Sequence, residues 1–245
     1  MKRTLWISLA GVAAFLAILL ARAPAEWLLP SGPRAPFHCT SLEGSLWSGG
    51  CSGLTVQGAS LGDLAWSFAP GELLHARLGA HVTLASSAGR ASADAALSAG
   101  GLLSARNVEA DLTLDPRLLR GLPRELHGSA HAQLALLAFK DGALTDLKGT
   151  IEAHNLEDRA GHVTPLGSYA VSFPGGTAEP TGAIHDLGGP LSLKGTLRLT
   201  RQGGYELDAK VAPRPQASPE LTNNLNMLGS PDAAGERQLT LSGSF

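Results

Sequence analysis

Cys39 and Cys51 are the only cysteines of the chain, and theirs is the simplest chemistry it offers. In an exported domain they could join, closing a short loop worth about 3 kcal/mol of chain entropy. The alternative is two small buried side chains that never meet. Two thiolates without a nearby second pair match no zinc spacing. His127 and His131 have the i, i+4 spacing that grips zinc on a helix, but here they alternate with apolar residues. On a strand that spacing puts them about 13 Å apart, so they are expected as solvent-facing polar residues. Glu157 and Asp158, beside Asn155 and Arg159, are expected in a polar surface turn.

Other catalytic signatures are not found. No two glycines lie two apart, no phosphate loop ends in Gly-Lys, and neither His-Glu-x-x-His nor Cys-x-x-Cys occurs. Dinucleotide and phosphate cradles are therefore not expected, and a serine-hydrolase elbow is not expected either. The reading is a non-enzyme with no catalytic residue, no metal and no cofactor. One segment invites a binding role: Gly44-Ser45-Leu46-Trp47-Ser48-Gly49 sets a leucine and a tryptophan between glycines. Tryptophan is enriched at interface hot spots, so Leu46, Trp47 and the nearby Trp66 are candidates for partner binding. The plainer alternative is a strand entering the core with Trp47 as filler.

Elements that could position these residues are mostly strands. Leu64, Trp66 and Phe68 alternate with Ala65 and Ser67 before Pro70-Gly71 stops the run. Val82 and Leu84, the alanines 91, 93 and 95 with Leu97, and Val108 to Leu114 continue the pattern. From Leu126 to Leu136, and again around Ile151 and Tyr169 to Phe173, one face is apolar and the other polar. Leu191 to Leu199 and Tyr205 to Val211 flank Arg201-Gln202-Gly203-Gly204, a hairpin signal. Gln238 to Ser242 is a last candidate strand. Asp115-Pro116 and Ser218-Pro219 look like helix starts, the second followed by Leu221, Leu225 and Leu228 and stopped by Gly229. The expectation is a mainly β protein: a curved, elongated antiparallel sheet, groove-like or a half-barrel, with one or two short helices. A closed barrel or a sandwich stays open as an alternative.

Residues 5–21 carry no charge, with Lys2 and Arg3 before them and Arg22 after. Such a run can just cross a bilayer, and its flanking charges favour a cytoplasmic N-terminus. The organisation expected is a cytoplasmic 1–4, a single transmembrane helix at 5–21, a linker at 22–36 and an exported β domain at 37–245. A signal peptide cleaved after Ala25 is the competing reading. Aromatics make up 5 % of the 245 residues and charged residues 16 %, while glycine (30) and proline (15) are plentiful, as turn-rich β chains require. A net charge of −2 with both signs interspersed offers no basic patch for nucleic acid.

Read together in order, several segments resemble protein N of the type II secretion pathway. They are the single N-terminal span, Gly44-Ser-Leu-Trp-Ser-Gly49, Leu64-Ala-Trp-Ser-Phe-Ala-Pro70 with Leu73-Leu74, and Gly204-Tyr-Glu-Leu207. Gly195-Thr-Leu197, the leucine-rich helix after Ser218, Leu228-Gly-Ser-Pro-Asp232 and Leu241-Ser-Gly243 complete the set. The resemblance implies a single-pass inner-membrane protein of a Gram-negative bacterium with its β domain in the periplasm. It implies an accessory role in exporting folded proteins, with contacts to other inner-membrane components of the apparatus or to the outer-membrane secretin. It transfers no catalytic residue. A runner-up from another class is an anchored periplasmic β-groove that binds or transfers lipid.

Overall fold

The computed structural model describes residues 11, 23–28, 37–56, 59–116, 124–176, 179–201 and 203–244. The segments expected at 1–4 and 5–21 lie outside the described residues apart from Gly11, and the 22–36 linker is described only at 23–28. Among the described residues no helix is long and apolar enough to cross a membrane.

Among the described residues fourteen strands make one antiparallel sheet. In chain order they are β1 (Phe37–His38), β2 (Ser41–Gly44), β3 (Ser48–Val56), β4 (Ala59–Ala69), β5 (Arg77–Ser86), β6 (Gly89–Ser98) and β7 (Leu102–Leu114). There follow β8 (Leu126–Lys140), β9 (Ala143–Asp158), β10 (Thr164–Pro174), β11 (Thr181–Gly188), β12 (Leu191–Leu199), β13 (Gly204–Pro213) and β14 (Arg237–Ser244). From β3 onward each strand pairs with the next, while β1 and β2 both lie along the other edge of β3. Short connections make this order the natural outcome, because consecutive antiparallel strands need only a turn between them. The sheet is open: β1 pairs with β3 and β14 with β13, and the two ends do not meet. Neither the closed barrel nor the two-sheet sandwich is formed.

Pairing places the apolar sets of successive strands on one face. A single cross-strand row runs Leu64, Leu84, Ala91, Ala110, Ala132, Ile151, Val171 and Ile184, then Gly195, Ala209 and Leu239. Residues directly opposite in a ladder point to the same side, so this face is continuous. Its best-buried cluster is Leu134, Leu147 and Phe173, with Val108, Leu137, Ile151 and Leu197 against it. Small residues make the packing possible. A Cβ on Gly182 would lie 2.8 Å from Phe173 Cε1, so this glycine leaves room for the ring. Trp66 likewise covers Gly49, and Tyr205 covers Gly243, its ladder partner.

Long strands replaced several expected breaks. The run starting at Leu126 continues to Lys140 as β8, through an irregularity between Leu134 and Leu136. Glu157 and Asp158 do not form a turn. They end β9, opposite His127 and Leu126, because the strand passes Asn155 in a left-handed conformation (φ 50°) and pairs again beyond it. Such a bulge absorbs one residue and re-aims the chain without ending the ladder. The short helix expected from Asp115 falls almost wholly outside the described residues. The later helix is present as α1 (Pro219–Asn226), with the Ser218 hydroxyl accepting the Leu221 amide at 3.1 Å. It packs against β13 and buries Leu221 and Leu225.

Candidate functional site

The residues singled out for binding gather where the N-terminal linker meets the sheet. Cys39 and Cys51 are joined, with Cα atoms 5.6 Å apart. This bridge ties the connection between β1 and β2 to the middle of β3. Cys51 is paired with Leu64 and buried. Around it Phe37, Leu42, Leu54, Leu64, Trp66 and Val82 line an open cavity of about 350 Å³. No ionisable side chain reaches its wall, so the cavity suits an apolar group and no charged one.

Trp47 and Trp66 are both half-buried. Trp47 meets the edge of Phe68 with ring centroids 4.7 Å apart, and its carbonyl accepts the Phe68 amide at 2.6 Å. Trp66 Nε1 donates to the Ser45 carbonyl at 3.3 Å, and its ring fills the space over Gly49. Leu46 donates its amide to the Ala23 carbonyl at 2.9 Å, and Pro24 bridges Ser45. Ala23 and Ala25 are almost fully buried there, and a 3₁₀ turn follows at Ala25–Leu28. The structure thus brings Leu46, Trp47 and Trp66 together and places the linker on them. The glycines of this segment have a local cause: Gly44 has φ 96°, and a Cβ there would lie 2.5 Å from the Ser48 carbonyl oxygen.

Groups with catalytic potential are dispersed. His131 Nδ1 lies 2.6 Å from Asp111, His127 Nδ1 lies 3.1 Å from the Glu125 carbonyl, and His154 is 2.8 Å from Glu152. Asn107 donates to Asp94, and His81 lies 2.9 Å from it. These two contacts, Asn107 first, hold the Asp94 carboxyl below the ordinary range. These groups lie on the polar face as separate clusters: Asp94 takes both His81 and Asn107, and Asp111 has Arg90 at 4.0 Å besides His131. Among the described residues no set of three metal-ligating side chains occurs. One pattern was missed in the sequence: Gly58-Ala59-Ser60-Leu61-Gly62 fits the letters of the serine-hydrolase elbow. Ser60 is exposed within β4, paired with Thr55, rather than on a strand-to-helix turn. The spacing therefore lacks the context that gives that motif its chemistry.

A half-buried polar cluster outside this site is structural. Burial first, and then the nearby Asp186 carboxylate, push the Tyr169 phenol up to about 12, while its hydroxyl donates to the Leu166 carbonyl at 2.5 Å. Arg214 reaches both Asp186 at 2.5 Å and the Gly189 carbonyl at 3.3 Å. Arg214 thus fastens the chain just after β13 to β11 and to the turn that follows it.

No curated protein and no solved structure matches the chain. A family model does, described as type II secretion system protein N and matching residues 35–240. That span takes in the disulfide, the Trp47 segment and all but the last residues of β14. With an open antiparallel sheet whose described polar groups converge on no reaction centre, the chain belongs to the type II secretion system protein N family.

Proposed function

We propose that this chain is a non-catalytic accessory component of the type II secretion apparatus. In this reading residues 5–21 cross the inner membrane once, 1–4 lie in the cytoplasm, and 37–245 stand in the periplasm. It supports export of folded proteins across the outer membrane by contacting other inner-membrane components or the secretin. The observation that carries the reading is the family match over residues 35–240. The fold supports contact through protein surfaces. β14 pairs only with β13 among the described residues, so its outer edge offers backbone groups to an added strand. In vivo photocrosslinking from Trp47 and from Leu241 tests it. Adducts with other apparatus proteins are expected, and recovery of lipid alone overturns it.

The cavity beside the disulfide favours one second reading, a β-groove that holds lipid. Its wall is apolar throughout and its volume falls in the range of small-molecule sites. Mass spectrometry of organic extracts from the full chain, compared with a Val82→Trp variant that fills the cavity, separates the two. Lipid present in the parent and lost in the variant supports the second reading.

A further inference from the structure

Leucines are unevenly distributed over the two ends of the strands. Leu73 and Leu74 lie in the 3₁₀ turn joining β4 to β5 (Pro70–His75) and are 50 % and 89 % exposed. Leu78, Leu97 and Leu103 face one another across β5, β6 and β7, and are 59 %, 44 % and 46 % exposed. Leu102 starts β7 directly after the Ala99-Gly100-Gly101 turn and is 39 % exposed. All lie at one rim of the sheet. The only acid in the β4–β5 connection, Glu72, is neutralised by Arg77 at 3.7 Å and Arg106 at 3.5 Å. The patch stops at the β8–β9 turn, where Lys140 and Asp141 are exposed. On the opposite rim the described turns beside Val163 hold Arg124, Glu125, Arg159 and His162, and the other exposed apolar residues, Leu187, Met227 and Leu228, lie at a later strand end and connection rather than in one cross-strand cluster.

The N-terminal linker joins the body at the leucine rim. Ala23 is bound to Leu46, next to Trp47 and hence next to Phe68, two residues before the β4–β5 connection. Only Arg22 separates Ala23 from Ala21, the last residue of the uncharged run. Two residues reach at most about 7 Å. A run inserted in a bilayer would therefore hold this rim at the membrane surface, with no slack for the body to stand away. Exposed apolar patches of this kind mark an interaction surface, and leucines set in a rim of few charges suit the boundary between headgroups and acyl chains.

We propose that this leucine rim rests on the periplasmic surface of the inner membrane, with Leu73 and Leu74 entering the headgroup layer. The strands of the sheet then run outward from the bilayer, and the opposite rim points away from it. This rests on the anchor reading of residues 5–21.

The test uses the full chain in vesicles of phosphatidylethanolamine and phosphatidylglycerol. A fluorophore is attached at Leu74→Cys or, on the opposite rim, at Val163→Cys; the native cysteines are paired. Lipids carrying a nitroxide near the headgroup should quench the first label several-fold more than the second, and Leu73→Glu should weaken the quenching. Equal, weak quenching at both positions overturns the proposal. So does a Leu74 label shielded from aqueous iodide but untouched by the nitroxide lipids, since a second copy of the chain then covers the rim. Alkaline carbonate extraction reads the anchor separately. A chain that stays in the vesicles with an unquenched Leu74 label loses the rim proposal and keeps the anchor; a chain that is released loses the anchor.

Discussion

At its N-terminal edge the sheet folds β1 and β2 back along β3 and fastens them through Cys39–Cys51, with the linker laid over Ser45 and Leu46. At its C-terminal edge β14 is held by hydrogen bonds to β13 and by polar side chains. Arg237, buried in β14, donates to the Gly229 carbonyl at 3.1 Å and to Asn226 Oδ1 at 2.6 Å, tying α1 and the chain after it to the strand. Lys210 adds Asp232 at 2.8 Å and Glu236 at 3.4 Å. An open sheet must protect two edges, and here one is closed covalently and apolar inside, while the other is polar and left pairable. A partner strand can therefore enter more readily at one edge than at the other. Adding one at β3 would displace β2 against the disulfide, whereas β14 presents its outer edge already free of ladder partners among the described residues.

Each edge should therefore fail under a different stress. Reduction of the bridge, or Cys39→Ser with Cys51→Ser, is expected to destabilise the N-terminal edge by about 3 kcal/mol. Urea unfolding with and without reductant measures it, and hydrogen exchange should place the loosening in β1 to β4 while β12 to β14 stay protected. Arg237→Ala is expected to cost about 2 kcal/mol, since it strips two charge-assisted bonds from a buried site. Its signature is faster proteolysis between residues 227 and 236, with the disulfide intact. Ser218→Ala should cost about 1 kcal/mol by removing the cap of α1, read as a small fall in the urea midpoint. Uniform loss of protection over the whole sheet in any of these variants would break the division into two separately held edges.

Acid gives the smallest effect and the sharpest contrast. The Lys210 ammonium, and then the amides of Glu236 and Ala234, hold the Asp232 carboxyl below the ordinary carboxylate range. A depressed folded-state value means that its contribution is complete above the unfolded value of about 3.9. The contribution is lost as pH falls from there through the folded value. Amide exchange in β14 should therefore quicken slightly below about pH 4, and Asp232→Asn should abolish that pH dependence. The Cys39–Cys51 bond does not titrate, so the β2 ladder should not follow the same curve.

Much of the sheet could be read in the chain, for a plain reason. With one face greasy and the other wet, a strand must alternate, and Leu64-Trp66-Phe68 or Leu191 to Leu199 cannot do so in any other conformation that buries them. The Ser218-Pro219 helix start was equally local, since its cap bonds lie within three residues. Glu157 and Asp158 misled because a bulge at Asn155 lets the ladder resume, and a bulge depends on the strand opposite. The Trp47 segment stood out by composition, yet its partners Phe68, Trp66 and Ala23 are distant or hidden in ladder register.

Residue types by themselves settled that this is an antiparallel β chain with an uncharged N-terminal run and no concentrated charge. Tertiary structure decided that the sheet stays open, that Cys39 meets Cys51, and that the exposed leucines fall on the rim where the linker joins. Alternation needs only nearest neighbours along the chain, so it is written locally. Edges, cavities and rims arise from which strand lies beside which, and that is set by register across the whole sheet.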